Sequence, residues 1–234
     1  PELQAQLESK NIPIIHICHG SPEPYMTGNM EPYNPTRIAA SCHNHKVVHC
    51  CEREMLEWRK AGLSNNTWIW HGMLAHDFRQ CQYDTKKSLI VNSGGWPYLN
   101  NVPLLDELHR RGIPWLQKDF SIANFEQYRE TVSKFNVYIS ATRYSSFPRS
   151  RAEAMHMGLC VVTTNNWDEE QFIVNGVNGY FVNNDADAIL RLVDGLTLKQ
   201  IQTVGLNGKS TAQEYFGVLT YRQRWLEVIN EVVR

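Results

Sequence analysis

A chain of 234 residues with 42% hydrophobic and 20% charged residues has enough apolar material for a sizeable core in one or two domains. Lys plus Arg number 23 against 24 Asp plus Glu, a formal net charge of −1, which removes bulk attraction to a phosphate backbone and with it nucleic acid as an expected partner. No apolar run reaches the ~20 residues of a membrane span and the first residues do not read as a signal peptide, so a cytoplasmic protein without a transmembrane segment is expected.

In chain order, residues 1–10 read as a helix and 12–18 as a strand running into His19-Gly20-Ser21-Pro22. Residues 23–35, rich in Pro, Gly, Asn and Tyr, form a loop. A short helix over 36–42, a strand over 46–50, a helix over 52–61 with Met55, Leu56 and Trp58 inward, and a strand over 67–70 complete the first series. Eight Cys and His residues crowd this region: Cys18, His19, Cys42, His43, His45, His49, Cys50 and Cys51. Paired zinc spacings are absent, so no metal site is expected and the cysteines read as reduced and structural.

Gly72 and the polar loop over 80–87 separate this series from a second one. A strand over 89–92 runs into Ser93-Gly94-Gly95, where glycines would let a phosphate approach the backbone. A helix over 102–111, a strand over 115–118 and an amphipathic helix over 123–135 follow. Residues 136–182 carry the chemistry. The apolar runs 137–141 and 159–162 suit buried strands of a parallel sheet, and Ser150 with Glu153 three residues on is a capping-box signature for a helix ending at Gly158. Ligands of open α/β sheets sit beyond the carboxyl ends of strands, which places the candidate site at residues 143–149. Helices over 185–194, 198–215 and 219–233 end the chain, the last with Trp225, Leu226, Ile229 and Val232 at helical spacing.

Phe147-Pro148, Glu153-Ala-Met, Gly158, an apolar strand and then Asn175-Gly-Val-Asn-Gly-Tyr-Phe-Val182 together resemble the carboxyl-terminal domain of the GT-B glycosyltransferases of the retaining family 4 group. His71-Gly72 through Asp77-Phe78 is similar to that family's hinge, and His19-Gly20-x-Pro22 to its amino-terminal loop facing the donor sugar. The resemblance implies an α/β chain: a partial amino-terminal acceptor-side domain over 1–80, a Rossmann-like donor-binding domain over 81–217 with a parallel sheet, and a helix over 218–234 crossing back. It starts midway through the family's first domain, so the chain is either a fragment or a reduced enzyme.

By that resemblance the substrate is a nucleotide-diphosphate sugar, the acceptor a sugar, lipid or protein, and the transfer a metal-independent one that retains configuration and needs no cofactor. His19 is the expected catalytic residue. The donor site comprises Gly94, Gly95, Arg143, Tyr144, Ser145, Ser146, Phe147, Pro148, Arg149 and Glu153, with Glu153 on the nucleotide ribose. Two departures stand out. Ser145 occupies the place of the family's first glutamate, and Ser93 and Asn100 replace the Arg and Lys that clamp the pyrophosphate. A diphosphate carries about two charges, each charge-assisted bond contributing ~1.5–3 kcal/mol, so Arg143, Arg149 and Arg151 are the expected replacements. A catalytically degenerate GT-B-like binding module and a DNA-base glucosylating enzyme are the competing expectations, the near-neutral charge disfavouring the latter. Glu153 also has a purely structural reading, as the capping-box glutamate of its own helix.

Overall fold

The computed structural model describes residues 2–18, 35–83, 86–92, 101–142, 149–164 and 172–234, which fall into two compact units: Pro1–Gly72 with Leu219–Arg234, and Met73–Val218. The first unit contains α1 (Glu2–Ser9), β1 (Ile15–Cys18), α2 (Pro35–Ser41), β2 (Lys46–His49), α3 (Glu52–Lys60) and β3 (Asn66–Trp68), together with α10 (Val218–Val233) from the end of the chain. Its strands form a parallel sheet in the order β1-β2-β3, with Cys18 opposite His49 and His49 opposite Trp68.

Both faces of β2 are buried. Val47 packs with Ala39, Trp58 and Leu63 on one side, and Val48 with Ile69 and Val228 on the other. Acidic residues in the first turn of α3 and basic ones in its last complement the helix dipole, and the Cys51 sulfur caps it by accepting from the Glu54 amide at 3.4 Å. Met55 and Trp58 face inward as expected, but Leu56 is 43% exposed, because it sits a third of a turn off the stripe those two define. The same rotation corrects α10. Val228 is buried, with Tyr221 and Trp225 packed beside it, whereas Leu226 and Ile229 point to solvent.

The second unit contains a short 3-10 turn (Ala75–Asp77), β4 (Leu89–Asn92), α4 (Val102–Arg110), α5 (Leu116–Asp119), α6 (Phe125–Val132), β5 (Val137–Ser140), α7 (Arg149–His156), β6 (Cys160–Thr164), β7 (Tyr180–Val182), α8 (Ala186–Gly195) and α9 (Leu198–Phe216). All four strands are parallel, in the order β4-β5-β6-β7. The unbroken burial of β5 and β6 follows from having helices on both faces. One core joins Val91, Val137, Ile139 and Val162 of the sheet to Leu105 and Leu108 of α4, Ile189 and Val193 of α8, and Ile201 of α9.

The strand expected over 115–118 is instead the short helix α5, and only Trp115 pairs with the sheet, opposite Val91. Asp119 causes this. Its carboxylate accepts the Trp115 amide at 2.6 Å while its own amide donates to the Trp115 carbonyl at 2.9 Å, closing a turn where a strand would have to stay open. The 175–179 turn is a backbone device: Gly176 adopts φ 77°, and the Asn178 side chain accepts the Val174 amide at 2.6 Å and donates to the Phe172 carbonyl at 2.9 Å. Helix α9 starts with a Thr197–Gln200 capping box and meets the end of α7 through bare glycine. A Cβ at Gly205 would lie within 3.0 Å of the Gly158 carbonyl oxygen, which also accepts the Tyr83 hydroxyl at 2.5 Å.

Candidate functional site

The apolar strands of the second unit turn polar at their carboxyl ends. Asn92 closes β4, Ser140 closes β5 with Thr142 just beyond, and Thr163 and Thr164 close β6; all are buried. Buried polar groups are tolerated only when bonded, and these bond one another. Asn92 donates to the Tyr138 hydroxyl at 2.8 Å and accepts from Gln117; the Thr164 hydroxyl reaches the Ser140 and Thr142 carbonyls at 3.4 and 3.5 Å. The result is a fixed polar rim at the sheet edge where α/β folds take ligands. Sequence reading passed over Asn92, Thr142 and Thr164; the available signal was an apolar run ending in Ser, Thr or Asn.

Helix α7 begins at this rim with Arg149. Because Ser150 already lies inside the helix, it does not form the expected capping box, and Glu153 turns to Arg149 one turn back: Arg149 Nε donates to Glu153 Oε1 at 2.9 Å. The arginine side chain is 64% exposed and the glutamate's 9%, so the pair joins solvent to interior. Burial raises the Glu153 carboxyl above its ordinary value, with Arg149 and the nearby Tyr128 hydroxyl opposing the rise. Burial pushes up the phenols of Tyr138, which is fully enclosed, and of half-buried Tyr128, whose hydroxyl is itself enclosed.

Arg151 corrects an expectation. It is fully buried, donating through Nη1 to the Thr163 hydroxyl at 3.1 Å with its guanidinium 5.0 Å from the centre of the Phe172 ring, so it offers no surface to a phosphate. Two turns past the helix start, His156 is buried and stacked on Phe78 with ring centres 5.0 Å apart. Of the expected site residues, the structure brings Arg149 and Glu153 together; His19, Gly94, Gly95, Arg143, Tyr144, Ser145, Ser146, Phe147 and Pro148 lie outside the described residues. In the first unit, Cys18, His49 and Glu54 place one donor atom each within 4.8 Å of the others.

Residues 103–197 match the family model described as Glycosyl transferases group 1, a span that includes Arg149 and Glu153. HepE of Anabaena, in complex with UDP and glucose, aligns with a TM-score of 0.77 at 12% identity, covering 96% of this chain and 73% of that one. Sucrose-phosphate synthase from Thermosynechococcus elongatus aligns with a TM-score of 0.75 at 15% identity, covering 99% and 71%. The fold is GT-B. Sucrose synthase 5 of Oryza sativa subsp. japonica is 30% identical over 95 residues, 39% of this chain but 11% of that protein, so the match takes in about a tenth of that relative's length. Within the GT-B frame, the matched family span runs from α4 through α8, the part of the second unit that holds the rim and the start of α7. No helix of the described residues is long and apolar enough to cross a membrane.

Proposed function

We propose that this chain is a glycosyltransferase that moves a hexose from a nucleotide-diphosphate sugar to an acceptor, with retention and without a metal on the diphosphate. Glu153 takes the ribose hydroxyls, Arg149 with Arg143 pairs the diphosphate charges, and His19 contacts the transferred sugar. The carrying observation is the Arg149–Glu153 pair: a cation open to solvent, bonded at 2.9 Å to a buried carboxyl whose affinity for its proton is raised, at the helix start beyond the sheet's carboxyl edge. An anion arriving there meets both the guanidinium and the amides of a helix N-terminus. The HepE structures with UDP and UDP-glucose support testing uridine nucleotides first. None of the six cysteines forms a disulfide among the described residues, which agrees with a cytoplasmic setting.

Calorimetric titration of the chain with UDP, ADP and GDP and their glucose conjugates tests the proposal. A saturable heat with one nucleotide is expected, weakened at least about tenfold, ~1.4 kcal/mol, by Arg149→Ala. Absence of binding by every nucleotide and nucleotide-sugar overturns it.

A further inference from the structure

We propose that Cys18, His49 and Glu54 bind a divalent transition-metal ion, zinc before others. Cys18 and His49 end adjacent parallel strands in direct register, so both side chains leave the same face of the sheet, the face that α3 covers. Glu54 reaches them from the first turn of α3. The donor atoms lie within 4.8 Å of one another, and His49 Nδ1 is 3.5 Å from Glu54 Oε1. A tetrahedral ion with metal–sulfur, metal–nitrogen and metal–oxygen bonds of about 2.3, 2.0 and 2.1 Å separates its ligand atoms by roughly 3.4–3.6 Å, so the nitrogen and oxygen already stand at ligand spacing.

Burial supplies an independent pointer. The side chains of His49 and Glu54 are both 0% exposed, and among the described residues Glu54 Oε2 has no hydrogen-bond partner. A buried carboxylate oxygen without a donor is expensive unless a cation faces it. The charges also close: one thiolate and one carboxylate neutralise a divalent ion, so the filled site carries no net charge into the interior. Three protein donors leave the fourth position for water, and half-buried Cys18 provides the path to solvent.

Binding exchanges protons without redox change. The Cys18 S–H bond breaks, its electron pair goes to the metal and the proton to solvent. In the metal-free state the His49 proton sits on Nδ1, facing Glu54, because Nε2 accepts from Asn66 Nδ2 at 3.4 Å; the Asn66 amide is fixed in that sense by donating to the Met55 carbonyl at 3.1 Å and accepting from Arg59 Nε at 2.9 Å. Metal binding moves the ring proton to Nε2, giving up two long hydrogen bonds, to Glu54 at 3.5 Å and from Asn66 at 3.4 Å, for a metal–nitrogen bond, and the Asn66 amide must shift away from the new Nε2–H. The ring stays in place, stacked 6.4 Å from Trp58.

Titrating the chelator-stripped, reduced chain with Co²⁺ tests the site, because cobalt bound to a thiolate gives a near-ultraviolet charge-transfer band that carboxylate or imidazole alone does not. One equivalent of cobalt bound with that band and with release of about one proton per ion, and displaced by Zn²⁺ without further proton release, is the expected result. Cys18→Ser should abolish the band and Glu54→Gln weaken binding at least about tenfold, while Cys42→Ser, outside the cluster, leaves both unchanged. A wild-type chain that binds cobalt without the band, or binds none, overturns the proposal without reference to any variant. So does a band that survives Cys18→Ser.

Discussion

Acid should loosen the α7 region through His156 before the carboxylates titrate. The ring is sealed against Phe78, and burial, with the Lys209 ammonium adding to it, lowers its pKa from 6.5 to about 4. A group that holds its proton less tightly folded than unfolded contributes stability above its unfolded pKa and loses it as pH falls toward the folded one. At 1.36 kcal/mol per pH unit, the interval from 6.5 to about 4 amounts to roughly 3 kcal/mol. Most of this arrives early: at pH 5.5 the unfolded chain is favoured about tenfold by this ring alone, ~1.4 kcal/mol, and at pH 5 by about 2 kcal/mol. His156→Phe keeps a ring against Phe78 and removes the titration. Urea unfolding of wild type and variant at several pH values between 7 and 5 isolates the effect, because all other groups cancel in the difference. Wild type should lose about 2 kcal/mol relative to the variant by pH 5. Parallel pH profiles would mean that the folded protein protonates His156 as easily as the unfolded chain does, and would refute the reasoning.

Glu153 should behave with the opposite sign. Its folded pKa is raised, so its contribution is most favourable below the ordinary carboxylate range and is lost as pH rises through the folded pKa; Glu153→Gln should therefore gain stability relative to wild type between pH 4 and 7, read by thermal unfolding, while weakening nucleotide binding. A variant that loses stability yet binds nucleotide like wild type would assign Glu153 a structural role only. Gly205→Ala pushes a methyl into the Gly158 carbonyl, a backbone atom that cannot swing away, and should cost about 2 kcal/mol or more in denaturant unfolding; an unchanged midpoint would mean that α9 is free to shift.

What could be read from the chain depended on how local the cause was. Runs such as 137–141 and 159–162 declared buried strands because burial on two faces needs nothing beyond an apolar, partly β-branched run. The failures have specific competitors. Trp115 to Lys118 looked like a strand until Asp119 reached back for the Trp115 amide. Ser150 and Glu153 have capping-box spacing, yet the helix starts one residue earlier and Arg149 captures the glutamate. Leu226 and Ile229 match an amphipathic pattern whose phase is set by Val228, and a phase error of one residue turns inside to outside. Crowded cysteines and histidines were visible as a list, but only the register that sets Cys18 beside His49, and the helix that delivers Glu54, select three of them.

The glycine contact at the end of α7 has a mechanical consequence. Gly158, at φ 80°, holds a backbone conformation that side-chain-bearing residues rarely adopt, and its carbonyl is held by Tyr83 while α9 rests on it through Gly205. The far end of the helix is thereby clamped from two sides, while its head, carrying Arg149, faces solvent. The first turn is held as well, because Arg151 is fully buried and bonded to Thr163 at 3.1 Å, so a ligand pulling on the head moves the Arg149 side chain rather than the helix. Any adjustment to the shape of a ligand is thus confined to the exposed Arg149 side chain, and the helix beneath it presents the same backbone to every ligand.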